Sequence, residues 1–393
     1  MAFSVRRMLP GDIDRVASLT AATFVAEAER DFTREFLRHA YTDGRLLRTE
    51  LGFVVTVSGE VVAHVQLLDF GIRIGCARLR GAGMFGALAE PNARGAGLPE
   101  LVRQVLLEDA VELGFDVCIG FAKQGAIYAR AGAVPVALTS SLSIDAIYVP
   151  LPRSRRLVEM QPRDEARVLD MHARGNSTRV GSIIRTAAQW PLMPRRSAMF
   201  LVADDGYVGL RVRRDSIEIR EIAGFSPAFF DDAIRTLAEL ARARQKRYVT
   251  GPVPLDHPIV EAARPYGGEV SAIAPRNAGC MARVLAPSRT LAKLAPELET
   301  RWTSATPSEL TLSVRSGGVA SNVALGGAGG EGGDRRAVSV DLSESQLTSL
   351  VFGYRSAAGL FAARDDAPDA ATLTTLDTLF PPRHAFIWDA DRW

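Results

Sequence analysis

The chain has 393 residues, of which 47% are hydrophobic and 23% charged, as expected for a globular protein of two or three domains. A net charge of +2 without Lys/Arg blocks argues against a nucleic-acid partner. The three cysteines are widely spaced and lack a Cys-x-x-Cys pair, and no histidine spacing fits a metal site, so we expect neither disulfides nor a metal. No apolar run approaches the ~18 residues of a membrane span, and no signal peptide is evident, so we expect a cytoplasmic protein without a membrane partner.

Residues 1–150 are predicted to form an α+β unit that begins with a short strand and helices over roughly 12–40. Segments 51–57 and 61–68 flank Ser-Gly-Glu, which indicates a β-hairpin. The remaining segments predict, in order, a buried strand, a Gly-rich turn with a helix, a strand, a short helix and a last strand: 83–89, 92–106, 116–121, 127–133 and 141–147. Pro150-Leu151-Pro152 then marks a linker.

Two further units are predicted, at 151–285 and 286–393. The second repeats the order of the first in weaker form, with a hairpin at 199–212, a strand at 216–222 and a helix of good 3.6-residue period at 227–243. Gly224-Phe225-Ser226-Pro227 stands there in place of the Gly-rich turn. The third unit alternates helices and strands and ends in an aromatic tail.

The Gly-rich turn Arg94-Gly95-Ala96-Gly97 lies where a strand leads into a helix. Unpaired backbone N–H groups and the helix dipole favour an anion at such a turn, and glycines let a phosphate approach closely. Tyr128 lies on the short helix after the next strand. A phosphate-binding turn on one strand–helix connection and a phenol on the next suit acyl transfer from a phosphate-bearing thioester.

These segments resemble a known superfamily. Arg94-Gly95-Ala96-Gly97 is similar to the coenzyme A pyrophosphate loop of the GNAT N-acetyltransferases, and 127–133 resembles their helix with a tyrosine general acid. The chain length, together with 341–347 and 352–356, resembles the enhanced intracellular survival (Eis) family. That resemblance implies two tandem GNAT modules, the second degenerate, followed by a sterol-carrier-protein-like domain.

The resemblance also implies an acetyl-CoA-dependent N-acetyltransferase with assigned residues. Arg94, Gly95, Ala96 and Gly97 would bind the pyrophosphate, although Asn92 and Ala93 replace basic residues of the family pattern. Backbone groups of Phe85, Gly86 and Ala87 would contact the pantetheine arm and polarise the thioester carbonyl. Tyr128 would be the general acid, and the α-carboxylate of Trp393 the general base.

Phe24, Glu27 and Phe36 would line an acceptor pocket for a primary amine of a cationic, aminoglycoside-like small molecule, in a homo-oligomer such as a hexamer. Each site residue also has a structural alternative: an ordinary strand–helix turn, plain sheet pairing, a packed Tyr128, a domain-packing Trp393, or core phenylalanines beside a solvated charged face. The alternative function is a non-catalytic lipid- or drug-binding protein on an Eis-like scaffold.

Overall fold

The computed structural model describes residues 3–93, 97–123, 125–152, 157–186, 199–275, 279–305, 309–326, 335–362, 364 and 366–392. The predicted site residues Arg94, Gly95, Ala96 and Trp393 lie outside these ranges. Across the described ranges the strands form two mixed sheets, of eight and seven strands, and a third sheet of three strands. Within the same ranges no helix combines the length and apolarity that crossing a membrane would need.

The first sheet has the order β1-β2-β3-β4-β5-β15-β6, with β9 also paired to β3. Its strands are β1 (Ser4–Arg7), β2 (Gly52–Val57), β3 (Glu60–Ile74), β4 (Ala77–Ala89), β5 (Val117–Ala122), β6 (Val134–Pro135), β9 (Val180–Ile184) and β15 (Gly279–Val284). Its helices are α1 (Ile13–Phe24), α2 (Arg30–Asp43), α3 (Leu98–Gln104), which continues through a π-helical turn (Val105–Asp109) into α4 (Ala110–Glu112), and α5 (Gly125–Arg130).

The second sheet has the order β14-β7-β13-β12-β11-β10-β8. Its strands are β7 (Thr139–Asp145), β8 (Val158–Glu159), β10 (Met199–Ala203), β11 (Gly206–Val212), β12 (Ser216–Gly224), β13 (Tyr248–Gly251) and β14 (Glu269–Ile273). The helices of this unit are α6 (Glu165–Gly175), α7 (Pro227–Ala243) and α8 (Pro258–Ala263). The predicted hairpin at 199–212 and the predicted helix at 227–243 are confirmed.

The third sheet has the order β17-β16-β18, in which β16 pairs antiparallel with β17 and parallel with β18. Its strands are β16 (Glu309–Ser316), β17 (Val319–Leu325) and β18 (Arg335–Asp341). Its helices are α9 (Pro287–Ala305), α10 (Glu344–Val351), α11 (Ala357–Phe361) and α12 (Ala370–Leu379). The α+β class predicted from the sequence is confirmed at this level.

Strand pairing crosses the boundaries predicted at 150 and 285. The strand predicted to close the first unit is β7, and it lies in the second sheet, between β13 and β14. Conversely, β9 joins β3, and β15 lies between β5 and β6 of the first sheet. The predicted units therefore exchange strands between their sheets. The boundaries at 150 and 285 stay predictions of domain limits along the sequence, and they do not coincide with the edges of the sheets.

Helices cover both faces of the first sheet, which explains why β2 and β3 are almost continuously apolar. Val54 of β2 packs in the same cluster as Val16 and Leu37 of α1 and α2. The alternate residues of β2, Phe53 and Val55, pack instead with side chains of α3. The two-residue period of a strand thus divides the core between the two helix layers.

Three buried histidines make the fold sensitive to acid. Burial lowers the pKa of His64 to about 4 and the pKa values of His172 and His257 to about 3. An unfolded chain, with histidine pKa values near ~6.5, binds more protons, so stability is lost as pH falls from about 6.5 towards 4. We expect the free energy of unfolding to fall by about 4 kcal/mol per pH unit near pH 5 from these three groups.

Denaturant titrations at a series of pH values measure this slope. The control is His257→Asn, because His257 caps α8 by accepting the Ile259 N–H at 3.3 Å, and asparagine also caps helices well. This variant should reduce the slope by about one third, as one of three protons no longer contributes. A slope that is unchanged in His257→Asn would contradict the assignment.

Candidate active site

The parallel strands β4 and β5 separate at their carboxyl ends. Their pairing runs from Gly81 opposite Val117 to Met84 opposite Gly120. Beyond that point, 85–89 continue beside β3, whereas 121–122 continue beside β15. The two strands therefore border a V-shaped opening, which we call the β4/β5 cleft, and the predicted cofactor-binding residues Phe85, Gly86 and Ala87 lie on one of its sides.

A β-bulge lies on this side of the β4/β5 cleft. Phe85 is opposite Gln66 and Leu88 is opposite His64, so that one residue of β3 faces both Gly86 and Ala87. Gly86 has φ +61°, and a Cβ atom there would lie 3.3 Å from His64 Nδ1. Glycine suits this position because it adopts positive φ without strain and leaves room for the imidazole. The bulge interrupts regular pairing of β3 and β4 beside the β4/β5 cleft.

A buried polar network lies beneath the bulge. Gln66 Nε2 donates to the carbonyl oxygens of Arg48, at 3.1 Å, and Leu67, at 2.8 Å, so Oε1 is the acceptor for Tyr41 Oη at 3.0 Å. The single phenol hydrogen is thereby used, and Tyr41 Oη accepts from His64 Nε2 at 3.3 Å. This network fixes the neutral His64 with Nδ1 facing the backbone of Gly86.

Helix α3 begins just beyond the end of β4. Gly97 is its N-cap residue, with φ +79°, and a Cβ atom there would lie 2.9 Å from Phe3 Cδ2. Glycine suits this position because it adopts positive φ without strain, and a larger residue would press on the Phe3 ring. Glu100, in the first turn of α3, is paired with Arg103 at 2.6 Å, which offsets its negative charge near the helix N-terminus.

Tyr128 lies on α5, directly after β5. Its ring is partly buried and packs against Ala122, Ala133 and Met281, of which Ala122 is the last residue of β5. Burial raises the pKa of the Tyr128 phenol to about 12, and the nearby Cys118 thiol raises it further in the same direction. The phenol is consequently protonated at neutral pH and can act as a proton donor.

The predicted acceptor residues occupy different environments. Phe24, at the end of α1, is 44% exposed, and Lys123 Nζ lies 5.8 Å from its ring centroid. Since Lys123 directly follows β5, Phe24 lies beside the β4/β5 cleft. Glu27 is exposed in a 3-10 turn, and Phe36 is half-buried against the apolar cluster that contains Val16, Leu37 and Val54. Sequence reasoning missed Lys123, whose only signal was its position one residue beyond the strand.

The carboxyl-terminal segment is docked as far as the structure describes it. Phe386 N donates to Val180 O at 2.9 Å, and the buried Trp388 donates through Nε1 to Asn176 Oδ1 at 3.0 Å. The guanidinium of Arg392 lies 5.1 Å from the ring centroid of Phe121 in β5. The prediction that the aromatic tail packs on the protein is therefore confirmed for residues up to Arg392.

Comparisons with known proteins show which solved structures this fold is similar to. No protein-family model and no curated protein matches the sequence. Among solved structures, the chain is similar to a GCN5-related N-acetyltransferase from Kribbella flavida, with 18% identity, TM-score 0.73 and coverage of 100% of this chain and 98% of that one. It is similar also to a GCN5-related N-acetyltransferase from Anabaena variabilis, with 16% identity, TM-score 0.76 and 100% of both chains covered.

These likenesses define the class of fold: the chain folds, over its whole length, like GCN5-related N-acetyltransferase structures. More narrowly, it is similar to Eis1 from Mycobacterium abscessus, with 16% identity, TM-score 0.69 and 100% of both chains covered. The α+β fold with two mixed sheets and a small third sheet therefore matches an Eis-like structure over the full length of the chain. At these identities the likeness establishes the fold alone.

Proposed function

We propose that this protein is an acetyl-CoA-dependent N-acetyltransferase that acetylates primary amines of a cationic small molecule. The observation that carries the proposal is the β4/β5 cleft, which has the phenol-bearing α5 at one side and the bulge at Gly86 on the other. A thioester bound along β4 would have a proton donor on the opposite side of the cleft. The Eis-like fold supports the same reaction class.

The residues present fit acetyl-CoA in two respects. The bulge at Gly86 and Ala87 interrupts regular pairing beside the cleft, where backbone groups can hydrogen-bond a pantetheine amide or a thioester carbonyl. The N-terminus of α3 follows at the end of β4, where backbone N–H groups of the Arg94–Gly97 turn would bind the pyrophosphate. Without basic residues at Asn92 and Ala93, we expect weaker binding than in the family pattern, because charge-assisted contacts contribute about 1.5–3 kcal/mol each.

Two groups would transfer protons while the acetyl group moves directly from the thioester to the amine. Tyr128 donates its proton to the departing thiolate of coenzyme A, and its raised pKa keeps the phenol protonated until charge develops on sulfur. The α-carboxylate of Trp393 accepts the proton that the attacking amine must lose. The position of Arg392 beside Phe121 of β5 supports this role, since Trp393 follows Arg392 directly in the sequence.

The acceptor class follows from charges near Phe24. Glu27 and Glu29 are exposed in the turn between α1 and α2, where they favour a cationic amine. Lys123 opposes a second cation close to the Phe24 ring. We infer an acceptor whose reacting amine is separated from its other positive charges, as in an aminoglycoside-like molecule.

We also propose that the second unit, 151–285, is a degenerate GNAT module and that the third unit, 286–393, is a sterol-carrier-protein-like domain, by resemblance to the Eis family.

The experiment is an assay of free thiol released from acetyl-CoA across a panel of aminoglycosides, polyamines, simple alkylamines and amino acids. The proposal requires amine-dependent thiol release, with acetylated amine identified by mass spectrometry. If acetyl-CoA binds but no amine in the panel stimulates release, the N-acetyltransferase proposal is contradicted. A non-catalytic binding protein on the same scaffold would then be the better account.

We also expect an oligomer, and specifically a hexamer, by resemblance to the Eis family. Light scattering at micromolar concentration should give a mass near six times the 42.4 kDa of one chain. A monomeric mass at that concentration would contradict this expectation.

A further inference from the structure

One buried guanidinium connects three distant segments of the chain. Arg185, directly after β9, donates through Nη1 to Glu221 Oε1 at 3.1 Å, and its Nη2 contacts the other oxygen of Glu221. Its Nε donates to Asp391 Oδ1 at 2.7 Å. The side chains of Arg185, Glu221 and Asp391 are at most 2% exposed. We call these three residues the Arg185 network.

Residues 388 and 389 of the carboxyl-terminal segment are also bound by side chains of the second unit. Arg220, beside Glu221 on β12, forms an ion pair with the Asp389 carboxylate and donates to the Asp389 carbonyl oxygen at 3.0 Å. Trp388 is bound by Asn176 of the second unit. Charged and polar contacts therefore fix the alternate residues 389 and 391, while Arg392 faces Phe121 of the first sheet.

Stability alone does not explain why charges are used here. A buried ion pair is often no more stabilising than apolar residues of similar volume, because both charges must be desolvated. What the network adds is geometry, since a guanidinium binds a carboxylate through two directed hydrogen bonds in one plane. Such contacts fix the orientation of a segment more narrowly than apolar packing does.

We propose that Arg185 and Glu221 are positioning residues, which hold Asp391 and thereby keep the tail, up to Arg392, beside Phe121 of β5 at the β4/β5 cleft. Trp393 follows Asp391 by two residues. The catalytic consequence rests on the proposed function, in which Trp393 supplies the base. The positioning itself does not depend on the reaction.

A metal ion is a poorer interpretation of the same cluster. Ligand atoms of His172, Glu221 and Asp391 lie within 4.8 Å of one another. However, the guanidinium of Arg185 already binds both carboxylates, and a cation among them would have to displace it. We therefore interpret the cluster as the group that binds Asp391 of the carboxyl-terminal segment.

The test follows Trp393 directly, by ¹⁹F NMR of full-length protein labelled with 5-fluorotryptophan. The chain has four tryptophans, and Trp393→Phe assigns the terminal resonance. Asp391→Asn keeps the volume of the side chain but removes the charge that Arg185 binds. We expect the Trp393 resonance to narrow and shift towards that of free tryptophan, while the buried Trp302 resonance stays unchanged.

Activity is measured on the same samples. Asp391→Asn should lower kcat by about 10²-fold with the KM for acetyl-CoA unchanged, because small misplacements of a catalytic group have effects of that size. The matched control is Asp231→Asn, which neutralises a carboxylate paired with Arg235 on α7 and should change neither readout. If Asp391→Asn does not fold, Asp389→Asn replaces it. This variant weakens the pairs of Asp389 with Arg220, Arg211 and Arg392 and leaves the Arg185 network intact, so we expect the same changes in smaller degree.

The outcomes separate this inference from the proposed function. An unchanged Trp393 resonance and an unchanged kcat in a folded Asp391→Asn protein would overturn the positioning role. A resonance that responds as expected in a protein whose wild type acetylates no amine would support positioning and contradict the proposed function instead.

Discussion

Tyr128→Phe is expected to lower kcat by about 10²–10⁴-fold, the usual contribution of a general acid. Phenylalanine keeps the ring that packs against Ala122, Ala133 and Met281, so only the proton donor is lost. The KM for the amine and the affinity for acetyl-CoA should change little, because the proton is transferred only as the thiolate departs. Steady-state kinetics with calorimetry of acetyl-CoA binding measure both effects.

Tyr248→Phe is the control, since it removes a phenol from β13 in the second sheet and should leave kcat unchanged. The pH profile gives a second check. With a pKa of about 12 for Tyr128, wild-type kcat should show no decline from this group between pH 8 and 10. If Tyr128→Phe loses rate and cofactor affinity equally, Tyr128 is structural and the proton donor is another group.

Adding a few residues after Trp393 is expected to lower kcat by about 10²–10⁴-fold, the contribution of a general base. The extension converts the α-carboxylate into a neutral amide and adds bulk next to Arg392. The anchoring contacts of the tail, from Phe386 to Asp391, remain available, so the melting temperature should change little. Turnover of the extended and the unextended protein on the same amine is compared.

Trp393→Phe is the matched variant, because it keeps the carboxylate and changes only the side chain. We expect it to retain most of the activity. Undiminished turnover of the extended protein on several amines would contradict the role of the carboxylate, and the base would then be sought among Glu27, Glu29 and Asp31. Of these, Asp31 is already paired with Arg34 at 2.7 Å.

Local structure was largely predictable from the sequence because its causes are local. Helix α7 has Ser226 as its N-cap, and the Ser226 Oγ accepts from Phe229 N at 3.1 Å; Pro227 lies in its first turn, and the helix has a regular apolar face. The hairpin of β10 and β11 follows from apolar alternation on both sides of a short polar turn. The docked tail was predictable from its aromatic residues, which bury apolar surface.

Pairing between distant strands was not predictable in the same way. The periodicity of 139–145 indicates a strand, but nothing in it says that the strand joins β13 and β14 rather than β5. Similarly, β15 pairs with β5 although about 160 residues separate them in the sequence. Such choices depend on how whole sheets pack and leave no signal in a short segment.

The Arg185 network was missed for a related reason. Arg185, Glu221 and Asp391 lie far apart in the sequence, and each resembles an ordinary surface charge there. A weak signal was present in the tail, where Asp389, Asp391 and Arg392 interrupt an otherwise aromatic segment. The β4/β5 cleft was anticipated only through the resemblance to the superfamily, because the separation of two strands is a property of their partners, β3 and β15.

Calorimetric titration of acetyl-CoA into the purified protein tests directly whether the protein uses this cofactor. We expect saturable binding with one site per chain, and loss of that binding in Gly95→Asp, because the new carboxylate would repel the pyrophosphate. The folded variant should melt like the wild type in the absence of cofactor. Absence of binding to the folded wild-type protein at millimolar acetyl-CoA would contradict the proposed acetyl-CoA-dependent activity.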